Sequence, residues 1–197
     1  MPPMLAYTIR SSNSDRLPLL YVDVGRNETA IRPDKPQPNS YWFVFLDANN
    51  PRVKVKEWVW PGSQHAVVPP GIDTYMNDPK HIFAVATHSL STPQLPQGPL
   101  YDFLAKYGAS RELQRLEQIS AVGPSLSCGG YEHVSYVLTS ACGPRVSGQP
   151  APASYEIGGT PDGNLPAILL LSLMPAANGG PPYSIVEANT WTSPPAR

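Results

Sequence analysis

The chain has 197 residues, of which 41% are hydrophobic and only 15% charged, with a net charge of −1. That composition supplies one packed core and excludes the polar, self-repelling balance of a disordered chain. Nucleic acid is excluded as the primary partner, because the basic residues form no stripe and the Lys54, Lys56 pair is too short to track a phosphate backbone.

The N-terminal Met1-Pro2-Pro3-Met4 lacks the basic and apolar stretches of a secretory signal, so none is expected. Leu5–Arg10 and residues 17–25 read as short strands, the second carrying the β-branched and aromatic run Tyr21-Val22-Asp23-Val24. Asn27-Glu28-Thr29 matches a glycosylation sequon, which gains meaning only in a secreted protein. Residues 34–39 form a proline-stiffened loop. Residues 41–46 are apolar on both faces, which predicts a central strand covered on both sides.

A turn at residues 47–51 leads into an alternating strand over residues 52–60. Val53, Val55 and Val59 share one face with Glu57, while Lys54, Lys56, Trp58 and Trp60 share the other. With the valines facing the core, the two tryptophans stand on a charged face. Either neighbouring loops cover them, or they form an aromatic contact surface for a partner or a sugar ring.

Pro69-Pro70-Gly71 breaks the chain, and Asp73 and Asp78 read as capping carboxylates of a turn. Residues 82–87 are a second strand buried on both faces, followed by a proline-rich loop over residues 89–98. Pro99 fits the first turn of a helix whose Leu100, Phe103, Leu104 and Tyr107 form one apolar face, and Gly108 stops it. Ser110 caps a second helix with Glu112 in its first turn and Leu113, Leu116 and Ile119 on its buried side, ended by Gly123-Pro124.

Residues 131–139 read as a strand with Val134, Tyr136 and Leu138 on one face and His133, Ser135 and Val137 on the other. Residues 143–163 are rich in proline and glycine and read as loop. Residues 168–173 are a short apolar strand, and residues 183–191 a last strand ending at Trp191. The apolar run at 167–171, extended to Met174, falls far short of the roughly 20 residues of a membrane helix, so no membrane insertion is expected. The 25 prolines exceed twice the usual share of about 5%, which predicts stiff, irregular connections and proline-rich ends.

Chemistry-bearing patterns are sparse. Ser125 and Ser127 do not form a G-x-S-x-G elbow. Cys128 and His133 are the only seed of a nucleophile and base, and such pairs are usually distant in sequence. The histidines make no H-x-x-x-H or H-x-H pair, and no glycine-rich phosphate loop exists, so no metal, cofactor or enzymatic activity is expected. Cys128 and Cys142 have two readings. The strand between them spans about 30 Å, which favours free thiols. Gly129-Gly130 and Gly143 allow the ends to fold back into a disulfide.

One order of segments spans the middle of the chain. It runs from Phe43-Val44-Phe45-Leu46-Asp47 through Ile72-Asp73-Thr74-Tyr75 to Phe83-Ala84-Val85-Ala86-Thr87. A helix ending at Gly108-Ala109-Ser110 follows, then Tyr131-Glu132-His133-Val134-Ser135-Tyr136-Val137-Leu138. Over residues 41–148 this resembles the interleukin-like EMT inducer (ILEI) and PANDER family of cytokine-like domains. The resemblance implies a compact α/β fold with a mixed sheet and a non-enzymatic role, and related stem domains of that family bind carbohydrate. The chain departs from the family at His88-Ser89-Leu90-Ser91, where acidic residues usually follow the buried strand, and it lacks the family's flanking cysteines.

The expected fold is therefore α/β of the α+β kind, a compact mixed sheet with two short helices after the central strands. Residues 1–40 form N-terminal strands and an arm, 41–148 the core, and 149–197 strands and a tail packed on it. The expected role is a structural subunit of a larger assembly, such as a virion, tail or filament component, contacting other protein subunits or further copies through its proline-rich arms and exposed aromatics. The alternative is a carbohydrate- or receptor-binding module. Either would use Lys54, Lys56, Trp58, Trp60 and Trp191.

Overall fold

A strand that is apolar on both faces needs a cover on each side, and residues 40–47 have two. The computed structural model describes residues 4–13, 16–23, 28–122, 133–145, 152–159, 165–178 and 180–187. The outer sheet contains β1 (Leu5–Arg10), β2 (Leu19–Val22) and β3 (Thr29–Ile31), joined by β11 (Ile168–Pro175) and β12 (Tyr183–Glu187) in the order β12-β11-β1-β2-β3. The central sheet contains β4 (Ser40–Asp47), β5 (Asn50–Pro61), β6 (His81–His88), β9 (Tyr136–Ala141) and β10 (Ser154–Gly158) in the order β10-β9-β6-β4-β5. A small ladder pairs β7 (Leu90–Ser91) with β8 (His133–Val134). Helices α1 (Ile72–Met76), α2 (Gly98–Lys106) and α3 (Arg111–Val122), with short 3-10 turns at Gly62–Gln64 and Thr92–Gln94, complete the described elements.

The layers run outer sheet, central sheet, helices. Alternation along β4 assigns its side chains to two cores. Trp42, Val44 and Leu46 meet Tyr7, Ile9, Leu20, Val22, Leu171 and Leu173 between the sheets. Tyr41, Phe43 and Phe45 meet Ile72, Met76, Leu100, Phe103, Leu104, Leu113 and Leu116 beneath the helices. Each fully buried Phe or Leu contributes roughly 1.5–3 kcal/mol, so the two cores together outweigh any single polar contact in the molecule.

The expected α+β class, with a β-sheet core and helices after the central strands, is what the chain adopts. Its finer form is two stacked sheets. The ladders between the named strands are antiparallel, and a parallel bridge joins Ser12 to His88. The outer sheet draws on both ends of the sequence, because β1 pairs with β11 from Leu5 opposite Leu173 to Arg10 opposite Ile168.

Several local expectations shift. Of the strand read over residues 17–25, the described residues place Leu19–Val22 in β2, with Val24 and Gly25 outside them, and the one read over residues 168–173 continues to Pro175. Residues 72–76, read as a turn, form α1, which Gly71 enters at φ +77°. The strand of residues 131–139 is broken at Ser135 into β8 and β9. Residues 154–158, read as loop, form the edge strand β10, which pairs with β9. The strand read over residues 183–191 is described only to Glu187, and Trp191, like Cys128, lies outside the described residues.

Candidate functional site

The alternation over residues 52–60 holds only in part, because β5 carries a bulge. Phe45 faces Lys56, but the next residue, Leu46, faces Lys54, so Val55 is the extra residue. The bulge turns Lys54 to the inter-sheet side, away from Lys56, Trp58 and Trp60. Of the three valines only Val59 packs against the inter-sheet core, while Val53 and Val55 are exposed.

On the helix side, Trp58 meets Phe45 edge-on at 5.8 Å and Tyr75 of α1 at 5.6 Å, with the Lys56 ammonium 5.3 Å from its ring. Trp60 donates its ring N–H to the carbonyls of Val67 at 2.9 Å and Gln64 at 3.2 Å. Both rings are half-buried and committed to contacts within the chain. The loop after β5 and α1 cover them.

Lys54 instead joins a polar cluster at the sheet edge. Its ammonium donates to Asp34 Oδ1 at 2.5 Å and to Glu57 Oε2 at 2.9 Å. Glu57 Oε2 also accepts the ring N–H of buried Trp42 at 2.9 Å, and Glu57 Oε1 accepts the Asp34 amide. Desolvation, the largest single influence on Lys54, pulls its pKa down. The two carboxylates outweigh it and raise the pKa. This cluster clamps the loop after β3 onto β5.

A second carboxylate hub joins β10 to the helices. Glu156 Oε1 accepts the Ser110 amide, the Ser110 hydroxyl and the Glu112 amide at 2.8–3.0 Å, and Glu156 Oε2 accepts the Tyr136 hydroxyl at 2.7 Å. The acceptor at the start of α3 is thus Glu156, with Ser110 donating to it rather than capping the helix itself. Burial, then the Glu156 charge, pushes the Tyr136 phenol well up. Arg115 bonds Glu112 and the Gly158 carbonyl, while the Gly158 amide donates to Glu112. These groups are mutually satisfied and hold the fold. Cys142 is a free, buried thiol whose pKa burial pushes up to about 12, so the thiolate that nucleophilic or ligand chemistry requires does not form near neutral pH.

An exposed apolar row stands on the outer sheet. The helices all pack on the far side of the central sheet, leaving the outward face of β12-β11-β1-β2-β3 uncovered by them. Along β11, Leu171 and Leu173 point inward and are buried, whereas Ile168, Leu170 and Met174 point outward with 43%, 64% and 43% of their surface exposed. The register places Thr8 beside Leu170 and Tyr21 beside Thr8. Arg10 is the only charged outward residue within the strands of this face. The apolar run of residues 168–173 made a strand legible, but not that its outward side chains would lack cover.

Among the described residues, no helix is long and apolar enough to cross a membrane, and no three His, Cys, Asp or Glu side chains are placed to hold a metal ion. No protein-family model matches the chain, and a comparison with curated proteins returns no match.

Proposed function

We propose that the protein is a non-enzymatic structural subunit of a larger protein assembly, such as a virion, tail or filament component. Its contact surface is the open face of the outer sheet. The observation that carries this reading is the row Ile168, Leu170 and Met174, apolar and exposed on a face with one charge within its strands. Five strands spaced 4.8 Å apart and about five residues long give the whole face, polar residues included, a footprint of roughly 400 Å², within the range of the largest patches on ordinary monomers, which are often functional. A stable interface takes about 800 Å² per partner, so elements flanking the face complete it. The occupant is a neighbouring protein subunit with an uncharged, apolar surface, since a charged one would be desolvated without a counter-charge.

The sequence resemblance of residues 41–148 to ILEI and PANDER domains favours a non-enzymatic role and is one motive for the carbohydrate- or receptor-binding alternative. The glycan alternative rests on Trp58 and Trp60, whose rings are engaged within the chain.

Hydroxyl-radical footprinting of the native particle against the isolated chain tests the reading. Strong protection of Ile168, Leu170 and Met174 in the particle, lost together with assembly in Leu170→Lys, is expected. Protection already present in the concentrated isolated chain identifies the neighbour as a second copy. Equal accessibility in particle and isolated chain refutes the proposal.

A further inference from the structure

We propose that a cleft at the β1–β3 end of the outer sheet is a binding site for a small, multiply charged oxyanion, with phosphate esters the best-fitting class. The cleft measures about 340 Å³ and is lined by Arg10, Arg16, Leu17, Leu19, Tyr21 and Arg32. It lies on the same outward face as the apolar row, at the opposite edge of the sheet except that Arg10 stands beside Ile168, and its titration test does not depend on the assembly reading.

The strand register explains how the arginines converge. Arg10 stands opposite Leu19 across β1 and β2. Leu20 stands opposite Ile31, so the next antiparallel position sets Arg32 beside Leu19. Arg10 on β1, Leu19 on β2 and Arg32, one residue past β3, therefore stand abreast, the two arginine backbones about 10 Å apart. Leu19 points outward yet keeps only 3% of its surface exposed. It forms the apolar floor of a bowl walled by the long arginine stems. Arg16, from the segment leading into β2, adds the third guanidinium, and the Tyr21 ring adds an aromatic wall.

Arg10 and Arg32 face one cavity, and among the described residues the carboxylates of this region are engaged elsewhere. Asp23 pairs with Arg52 and Asp34 with Lys54. Glu28 stands before the opposite end of β3. Among the described residues, neither Arg10 nor Arg32 forms an ion pair. A planar guanidinium fork matches two oxygens of a phosphoryl, sulfuryl or carboxylate group, and several forks discriminate a multivalent oxyanion from a monovalent one. The volume sits at the lower end of small-molecule sites. It accommodates a phosphorylated sugar or nucleoside fragment, with the anion on the arginines and the organic part against Tyr21.

Isothermal titration of the full chain with pyrophosphate, in moderate salt, tests the site. Saturable one-to-one binding is expected, weakened at least tenfold by Arg10→Gln or by Arg32→Gln and about fivefold by Arg32→Lys. Lys35→Gln, an exposed lysine outside the cleft, leaves the affinity unchanged. Parallel titrations with sulfate and citrate separate the sources of the oxyanion: tightest binding of pyrophosphate supports the phosphate class. Equal affinity for all three supports the oxyanion site and overturns the phosphate preference. Arg32 lies outside the ladder, so Arg32→Gln decides the matter even where Arg10→Gln fails to fold. Non-saturable binding, or an equal loss in Lys35→Gln, overturns the proposal.

Discussion

Replacing Glu57 by alanine removes the acceptor of the Trp42 ring N–H, one of the two carboxylate partners of Lys54, and the acceptor of the Asp34 amide. Trp42 keeps only 1% of its surface exposed, so its N–H finds no water, and an unsatisfied buried donor costs about 1–3 kcal/mol. Lys54 retains Asp34, so the lost ion pair adds at most about 1 kcal/mol. Glu57→Ala should therefore destabilise by roughly 2–3 kcal/mol. Glu57→Gln, which still offers an oxygen to Trp42, should cost only about 0.5–1 kcal/mol. Urea unfolding followed by far-ultraviolet circular dichroism measures both without depending on tryptophan emission. In a Trp42→Phe background the donor is gone, and the Glu57→Ala penalty should shrink by at least about 1 kcal/mol. A Glu57→Ala protein within about 0.5 kcal/mol of wild type, or an undiminished penalty in that background, refutes the assignment of Glu57 as the anchor of this edge.

Gly108 has φ +112°, and an added Cβ there overlaps the Ser154 side chain, while Gly71 at φ +77° faces open space. Gly108→Ala should cost more than about 2 kcal/mol and Gly71→Ala about 1, compared by thermal unfolding. In a Cys128→Ala background the native protein should resist thiol reagents at pH 8 and react once unfolded. The Cys142 thiol rises from an ordinary value near 9 to about 12 on folding. Its contribution is whole below pH 9 and lost as pH climbs toward 12, totalling about 4 kcal/mol. Cys142→Ala should flatten that alkaline limb in pH-dependent unfolding. Burial, the largest influence on Glu112, raises its pKa. The Arg115 guanidinium and the Gly158 amide outweigh it and lower the pKa. The stability it adds is present above the ordinary carboxylate range and lost as pH falls through the lowered value, so Glu112→Gln should flatten the acid limb.

Much of the fold was written in local patterns. Residues 41–46 and 82–87, apolar on both faces, could only be central strands, and the Leu100, Phe103, Leu104, Tyr107 spacing with Gly108 behind it could only be a short helix. Periodicity reads burial because one side chain in two, or one face of a turn, must leave water. It did not read β10, whose Ser154-Tyr155-Glu156-Ile157-Gly158 carries little apolar weight. That strand is held by its ladder to β9 and by polar bonds to α3. Strict alternation also misplaced Lys54, because a one-residue bulge reverses every side chain beyond it and leaves no mark in composition.

The same division runs through the candidate surfaces. The sequence by itself determined that an α+β domain with two buried central strands would form, and that Trp58 and Trp60 would share a face. Only the tertiary structure decided that those rings are covered by α1 and the loop after β5. It alone brought β11 beside β1 across more than 150 residues and left its outward Ile168, Leu170 and Met174 exposed. It alone set Arg10, Arg16 and Arg32 around one cleft. Local preference acts within a few residues. Which face lacks a cover, and which charges meet, depends on pairings between distant strands, which depend on the packing of the whole chain.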